Sequence, residues 1–132
     1  MRAVERLEEF RRVVDGLVEE NLSVVVIVEG ERDVAALREL GLSSEIVTVH
    51  RGRSLVQVAD DIAADHDEVI VLTDWDRTGG TLARRISTYL EGLSVSCDLE
   101  VRRRLARIAG GEIRTVEGLP ALRRNLERRA GR

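Results

Sequence analysis

A chain of 132 residues, with 21 basic and 24 acidic side chains and one cysteine, has room for one domain with a buried core. Cys97 has no partner for an intrachain disulfide or a multi-cysteine zinc site and is expected to be a packing residue; all basic residues are arginine, which excludes any mechanism needing a catalytic lysine. No apolar run approaches membrane-spanning length and the N-terminus reads as a charged helix rather than a signal peptide, so a cytoplasmic protein with no membrane partner is expected.

Residues 2–20 carry Val4, Leu7, Val14, Leu17 and Val18 on or near one stripe, predicting an amphipathic helix. Residues 1–22 are therefore expected to pack as a helix on a domain spanning 23–132. A first strand is predicted from Ser23 to Val28, then a helix over 32–40 that Gly41 closes. Glu45 to Val49 reads as a second strand, and His50-Arg51-Gly52-Arg53 as a loop after it. Ser54 is placed to cap a helix with Leu55, Val58, Ala59 and Ile62 inward. Glu68 to Thr73 is a further strand, and Leu82, Ile86 and Leu90 mark the helix after it. Val101, Leu105 and Ile108 predict another helix, Glu112 to Val116 a short last strand, and Leu119, Leu122 and Leu126 a terminal helix with Pro120 in its first turn. Strands alternating with helices across short connections imply an α/β domain with a central, mostly parallel sheet of about four strands flanked by helices.

The net charge of −3 hides an asymmetry: residues 1–100 carry 11 Arg against 21 acids, and residues 101–132 carry 10 Arg against 3. A basic tail on an acidic body signals nucleic-acid or acidic-partner contact. Amphipathic helices with Arg-rich solvent faces give the same imbalance, and the shortage of stacking aromatics weighs toward that second origin.

The chemistry concentrates where two aliphatic runs stop at acids. Val69-Ile70-Val71-Leu72-Thr73 is followed by Asp74-Trp75-Asp76-Arg77-Thr78-Gly79-Gly80, and Val24-Val25-Val26-Ile27-Val28 by Glu29-Gly30. In an extended chain Asp74 and Asp76 share a face, and carboxylates that close repel unless a cation or a proton lies between them. Mg²⁺ takes one or two carboxylates, keeps waters and recruits phosphate oxygens. A solvated acidic turn uses the same residue types. Thr78 or Thr81 is expected to cap the following helix, and Trp75 to pack beneath the loop. Ligands of open α/β sheets bind outside the carboxyl ends of strands, which would bring Glu29 to the edge holding Asp74 and Asp76.

Glu29-Gly30-x-x-Asp33 after one strand, with Asp74-x-Asp76-x-x-Gly79 after a later one, resembles the Toprim domain of type IA and type II topoisomerases, bacterial-type primases, ribosomal-RNA-maturing ribonucleases and overcoming-lysogenization-defect nucleases. The chain is most similar to the small stand-alone Toprim proteins of archaea. The resemblance implies a Rossmann-type Toprim fold and phosphodiester chemistry on nucleic acid, RNA or DNA. It also implies Mg²⁺, for which Mn²⁺ can substitute, held by Glu29, Asp74 and Asp76. Glu29 would be a ligand or the catalytic general acid/base. Asp33 matches an acid of the motif that caps or orients the helix.

The domains that supply a topoisomerase tyrosine, or a primase's template and nucleotide sites, are not expected in so short a chain. A nuclease or an RNA/DNA-processing subunit, working alone or within a larger protein complex, is the resulting expectation. Arg32, Arg51, Arg53 and Arg77 are candidate phosphate contacts by position, and Arg102, Arg103, Arg104, Arg123 and Arg124 by charge. A non-catalytic Mg²⁺- or nucleotide-binding regulatory module would use the same acids. Asp74-Trp75-Asp76-Arg77-Thr78 also resembles the nucleophile motif of haloacid-dehalogenase-type phosphatases. Those enzymes place that strand first and end with a later acidic motif, which this chain lacks.

Overall fold

The computed structural model describes residues 1–49 and 52–131; His50 and Arg51, part of the loop expected at the ligand edge, lie outside the described residues. Four parallel strands, β1 (Val25–Val28), β2 (Ile46–Thr48), β3 (Glu68–Val71) and β4 (Ser96–Asp98), form one sheet in the order β2-β1-β3-β4. Val26 pairs with Ile46 and Ile70, and Val69 with Cys97. Helices α1 (Ala3–Asn21), α2 (Glu31–Leu40), α3 (Leu55–Asp65), α4 (Arg77–Gly92), α5 (Glu100–Ala109) and α6 (Leu119–Arg129) surround it, with a 3₁₀ turn at Val116–Gly118. The expected α/β class, the parallel sheet and its strand number stand.

The two-residue period of a strand sorts the core into two faces. Val26, Val28, Ile70 and Leu72 point to one side, where Phe10, Leu17, Leu37, Leu105 and Leu126 of α1, α2, α5 and α6 cover them. Val25, Ile27, Val69 and Val71 point to the other, against Val58, Ile62, Ile86 and Leu90 of α3 and α4. Both faces are covered, which is why the strands read as unbroken aliphatic runs.

The local signals act as expected at several ends. Gly41 closes α2 in the left-handed region at φ 113°, open to glycine at little cost. Ser54 Oγ accepts from the Gln57 amide at 3.2 Å while Gln57 Oε1 accepts from the Ser54 amide at 3.0 Å, a reciprocal cap on α3. Pro120 occupies the first turn of α6.

Two expectations are corrected. Glu112 to Val116 is not a strand but an irregular segment leading into the 3₁₀ turn, and the fourth strand is Ser96–Asp98. Ile113 and Val116 supply apolar contacts for that segment, which look like a strand pattern locally. Ser96-Cys97-Asp98 is a three-residue edge strand whose side chains are at most half buried, so no aliphatic run marks it. The strand carrying the aspartates also ends at Val71 rather than Thr73, so Asp74 and Asp76 stand in a turn and not on an extended chain.

Candidate functional site

The strand order changes direction between β1 and β3: β2 lies on one side of β1, and β3 and β4 on the other. At such a switch point the connections leave in opposite directions and open a crevice beyond the carboxyl ends of the strands. Glu29 follows β1 there, and Asp74 lies just beyond β3. The two are joined directly, since the Asp74 amide donates to Glu29 Oε2 at 2.8 Å. The expected adjacency of the two strand ends is what the structure shows.

The turn after β3 is built by side chains reaching backbone. The buried Thr73 hydroxyl donates to the Gly79 carbonyl at 2.8 Å. Asp76 is the N-cap of α4, its Oδ1 accepting from the Gly79 amide at 2.7 Å. Capping therefore falls to Asp76 rather than to Thr78 or Thr81; the Thr81 hydroxyl instead donates to the Arg77 carbonyl at 3.2 Å. Gly79 is required by a close approach: a Cβ there would stand 1.9 Å from the Asp74 carbonyl oxygen. Asp33 does the orienting work expected of it, with Oδ2 accepting from the Gly30 amide at 3.1 Å at the start of α2.

Asp74 is the acid pushed furthest up among the described residues. Its Oδ1 accepts from the Val116 amide at 2.9 Å, yet its pKa is pushed up to about 6. Burial is the main cause; the Val116 amide opposes it, and the negative charges of Glu29, Asp33 and Asp76 add to it. Burial also raises Asp33, against the amides of Gly30 and Glu117. The segment before the 3₁₀ turn closes over the site from the side. The Trp75 amide donates to the Arg114 carbonyl and its indole Nε1 to the Ile113 carbonyl, both at 2.9 Å, so Trp75 is a packing residue under the loop.

Arg102, a candidate phosphate contact by charge alone, has an anchored position in the structure. Its Nε donates to the Thr73 carbonyl at 3.1 Å and its Nη2 to the Asp74 carbonyl at 2.8 Å. Burial lowers its pKa, Glu29, Asp74 and Asp76 raise it, and Arg84 lowers it further. No local pattern announces this, because the partners are main-chain oxygens 28 and 29 residues earlier.

The other candidate phosphate contacts divide. Arg53 pairs with Asp61, Arg104 with Glu9 at 2.8 Å and Arg124 with Glu39 at 3.2 Å, while Arg103 pairs with Glu100 within its own helix. Arg32 stands 4.0 Å from Glu117 with its side chain 86% exposed, and Arg77 is exposed at the start of α4. Arg51 lies outside the described residues. A hollow of about 490 Å³ lies over β2 beside Glu31, Val34 and Arg53 and is not lined by Glu29, Asp74 or Asp76.

Glu29, Asp74 and Asp76 each commit one oxygen to a backbone amide, which fixes the carboxylates, and among the described residues the other oxygen of each accepts no hydrogen bond. Among the described residues no three His, Cys, Asp or Glu side chains converge closely enough to ligate one ion together. This donor set suits a Mg²⁺ that touches one or two carboxylates and keeps its waters, and does not suit a fully protein-caged ion. Asp74 follows the third strand in chain order, not the first, which departs from the phosphatase arrangement.

The Toprim domain model matches residues 24–108, which include both acidic strand ends. A UPF0292 protein of Pyrococcus horikoshii is 43% identical over 119 residues, covering 90% of this chain and 87% of its own. A UPF0292 protein of Methanosarcina barkeri is 37% identical, covering 86% of this chain and 80% of its own. A solved putative protein from Aquifex aeolicus superposes with a TM-score of 0.70 at 22% identity, over 80% of this chain and 94% of that one, a likeness of fold.

Proposed function

The chain belongs to the Toprim family, a metal-binding, nucleic-acid-related fold, and from that premise we propose that it performs Mg²⁺-dependent phosphodiester chemistry on RNA or DNA, as a nuclease or a processing subunit. The observation that carries this reading is the contact of Glu29 with the Asp74 amide at the sheet's switch point. It gathers acidic side chains that have no arginine ion partner among the described residues, at the position where an α/β sheet binds its ligand. Asp74 and Asp76, with Glu29, would hold a hydrated Mg²⁺ there, which would supply charge neutralisation of the phosphate and its leaving oxygen.

The chain's own residues do the rest. Asp74 and Asp76, fixed by the Val116 and Gly79 amides, present their remaining oxygens as ligands. Glu29, fixed by the Asp74 amide, holds a ligand or moves a proton at the sugar oxygen. Arg102 holds the turn that carries both aspartates.

The test is single-turnover cleavage of structured and single-stranded RNA and DNA at saturating protein, with Mg²⁺ or Mn²⁺. Glu29→Gln keeps an acceptor for the Asp74 amide but cannot take a proton. Its expected outcome is retained nucleic-acid binding with the rate down roughly 100-fold or more. Asp74→Asn, which keeps an acceptor for Val116, is expected to lose cleavage through metal affinity. Cleavage at the parent rate in Glu29→Gln would sink the mechanism. Binding without cleavage in the parent would favour the non-catalytic Mg²⁺-binding module.

A further inference from the structure

We propose that Arg84 and Arg102 form a two-guanidinium clip for one phosphodiester of a nucleic-acid backbone, beside the acidic edge. This rests on the reading above and adds to it a subsite and its ligand. Several arginines on the helical flanks are neutralised: Arg104 by Glu9, Arg124 by Glu39, Arg6 and Arg129 by Glu112. Neither Arg84 nor Arg102 has a carboxylate within ion-pair distance among the described residues. Instead they converge on each other. A Cβ built on Gly80 would stand 3.6 Å from Arg102 Nη2 and 3.7 Å from Arg84 Nη1, so both guanidinia border the same point over the first turn of α4.

Each has donors to spare. Arg102 uses Nε and one hydrogen of Nη2 on the Thr73 and Asp74 carbonyls, leaving Nη1 and the second Nη2 hydrogen. Arg84 uses Nη2 on Thr81 Oγ1 at 3.4 Å, leaving Nη1 toward Gly80. Two like charges bordering the same point repel. An anion between them turns that repulsion into two charge-assisted hydrogen-bonding contacts, the geometry in which arginine excels. The amino end of α4 adds its positive partial charge nearby. Because Arg102 Nη2 donates to the Asp74 carbonyl, a phosphate in the clip would lie next to the carboxylates that would hold Mg²⁺, whose preferred further ligands are phosphate oxygens.

The test is fluorescence anisotropy of a short fluorescein-labelled RNA hairpin and its DNA counterpart at several salt concentrations, in EDTA so that nothing is cleaved. Arg84→Gln is the primary variant because Arg84 is exposed and anchors nothing in the core. Weaker binding is expected, with the log–log salt slope reduced by about 0.7–0.9, one phosphate contact. Arg85→Gln removes the same charge from the next, exposed position of α4 and is expected to keep the parent slope. Arg84→Gln with Arg102→Gln is expected to weaken binding little more than either alone, since both residues hold one phosphate. Mn²⁺ titrated against Trp75 emission is expected to be unchanged in Arg84→Gln, which separates the clip from the metal site. Parent affinity and slope in Arg84→Gln, or an equal loss in Arg85→Gln, would overturn the clip and leave the proposed function standing. A parent that binds neither probe overturns the clip as a nucleic-acid subsite, and a parent that also fails to cleave either in Mg²⁺ overturns the proposed function with it. Inorganic phosphate that raises the melting temperature of such a parent, but not of Arg84→Gln, would then reassign the pair to a small phosphate ligand.

Discussion

Two groups of carboxylates in this protein treat charge in opposite ways. On the helical flanks Glu9, Glu39 and Glu112 meet arginines. Glu9 accepts from Arg104 and Arg12, tying α1 to α5, and these hydrogen bonds hold its pKa down to about 2. At the strand ends Glu29, Asp74 and Asp76 meet main-chain amides instead, and burial with mutual repulsion drives Asp74 up to about 6. A flank carboxylate is satisfied in the folded protein as it stands. An edge carboxylate is positioned but left electrostatically incomplete, which is the condition a cation relieves.

The sharpest way to break that contrast is to disturb the backbone that positions the edge. Gly79→Ala would drive a Cβ into the Asp74 carbonyl, and neither partner is a flexible side chain. A loss of about 3 kcal/mol or more is expected, together with loss of the Mn²⁺ response of Trp75. Gly80→Ala is the control one residue on, where a Cβ meets only guanidinium ends at ordinary contact distance. Thermal melts should show it unchanged or more stable by about 0.5–1 kcal/mol, through helix propensity.

A smaller effect, of opposite sign, is expected from Asp74→Asn in the metal-free protein. A carboxyl whose pKa is raised by folding adds stability below its unfolded value, near 3.8, and loses that contribution as pH rises through about 6. The asparagine removes the loss while keeping an acceptor for the Val116 amide. Melts above pH 7 should therefore show a gain of about 1 kcal/mol, reduced from the buried limit because the carboxyl is partly exposed, and melts below pH 4 should show none. A gain that persists at low pH would mean that charge is not its origin.

The smallest effect belongs to the flank. Glu9→Gln removes an acid whose pKa is depressed, so its contribution is present above about 4.5 and fades as pH falls toward 2. The expected drop in melting temperature is slight at neutral pH and erased by high salt, because exposed ion pairs are screened. A salt-insensitive drop would show that the pair acts by packing.

Much of this architecture was legible from residues alone, because its signals are local. The aliphatic runs of β1 and β3 stop at Glu29 and close to Asp74, and Gly41 and Ser54 punctuate helices by their own conformational and hydrogen-bonding preferences. What escaped notice depends on partners far along the chain. β4 is defined by pairing with β3 rather than by composition. The capping role of Asp76 depends on where the extended chain ends, two residues earlier than its pattern suggests. The anchoring of Arg102 looked like part of a basic tail because its fixed partners, the Thr73 and Asp74 carbonyls, carry no side-chain signature.

The segment that fastens Trp75 and Asp74 has a practical consequence for dissecting the molecule. Residues shared with the family model end at 108, but Ile113, Arg114 and Val116 supply the indole acceptor, the Trp75 amide acceptor and the Asp74 donor. A fragment cut to the shared segment would strip three hydrogen-bond partners from the turn it aims to isolate. It would also uncover Leu37, Leu105 and Ile108 by removing α1 and α6. The smallest piece able to report on the acidic edge therefore runs past the shared boundary and through α6, and a trimmed version that fails to bind metal or nucleic acid says nothing about the chemistry of Glu29, Asp74 and Asp76.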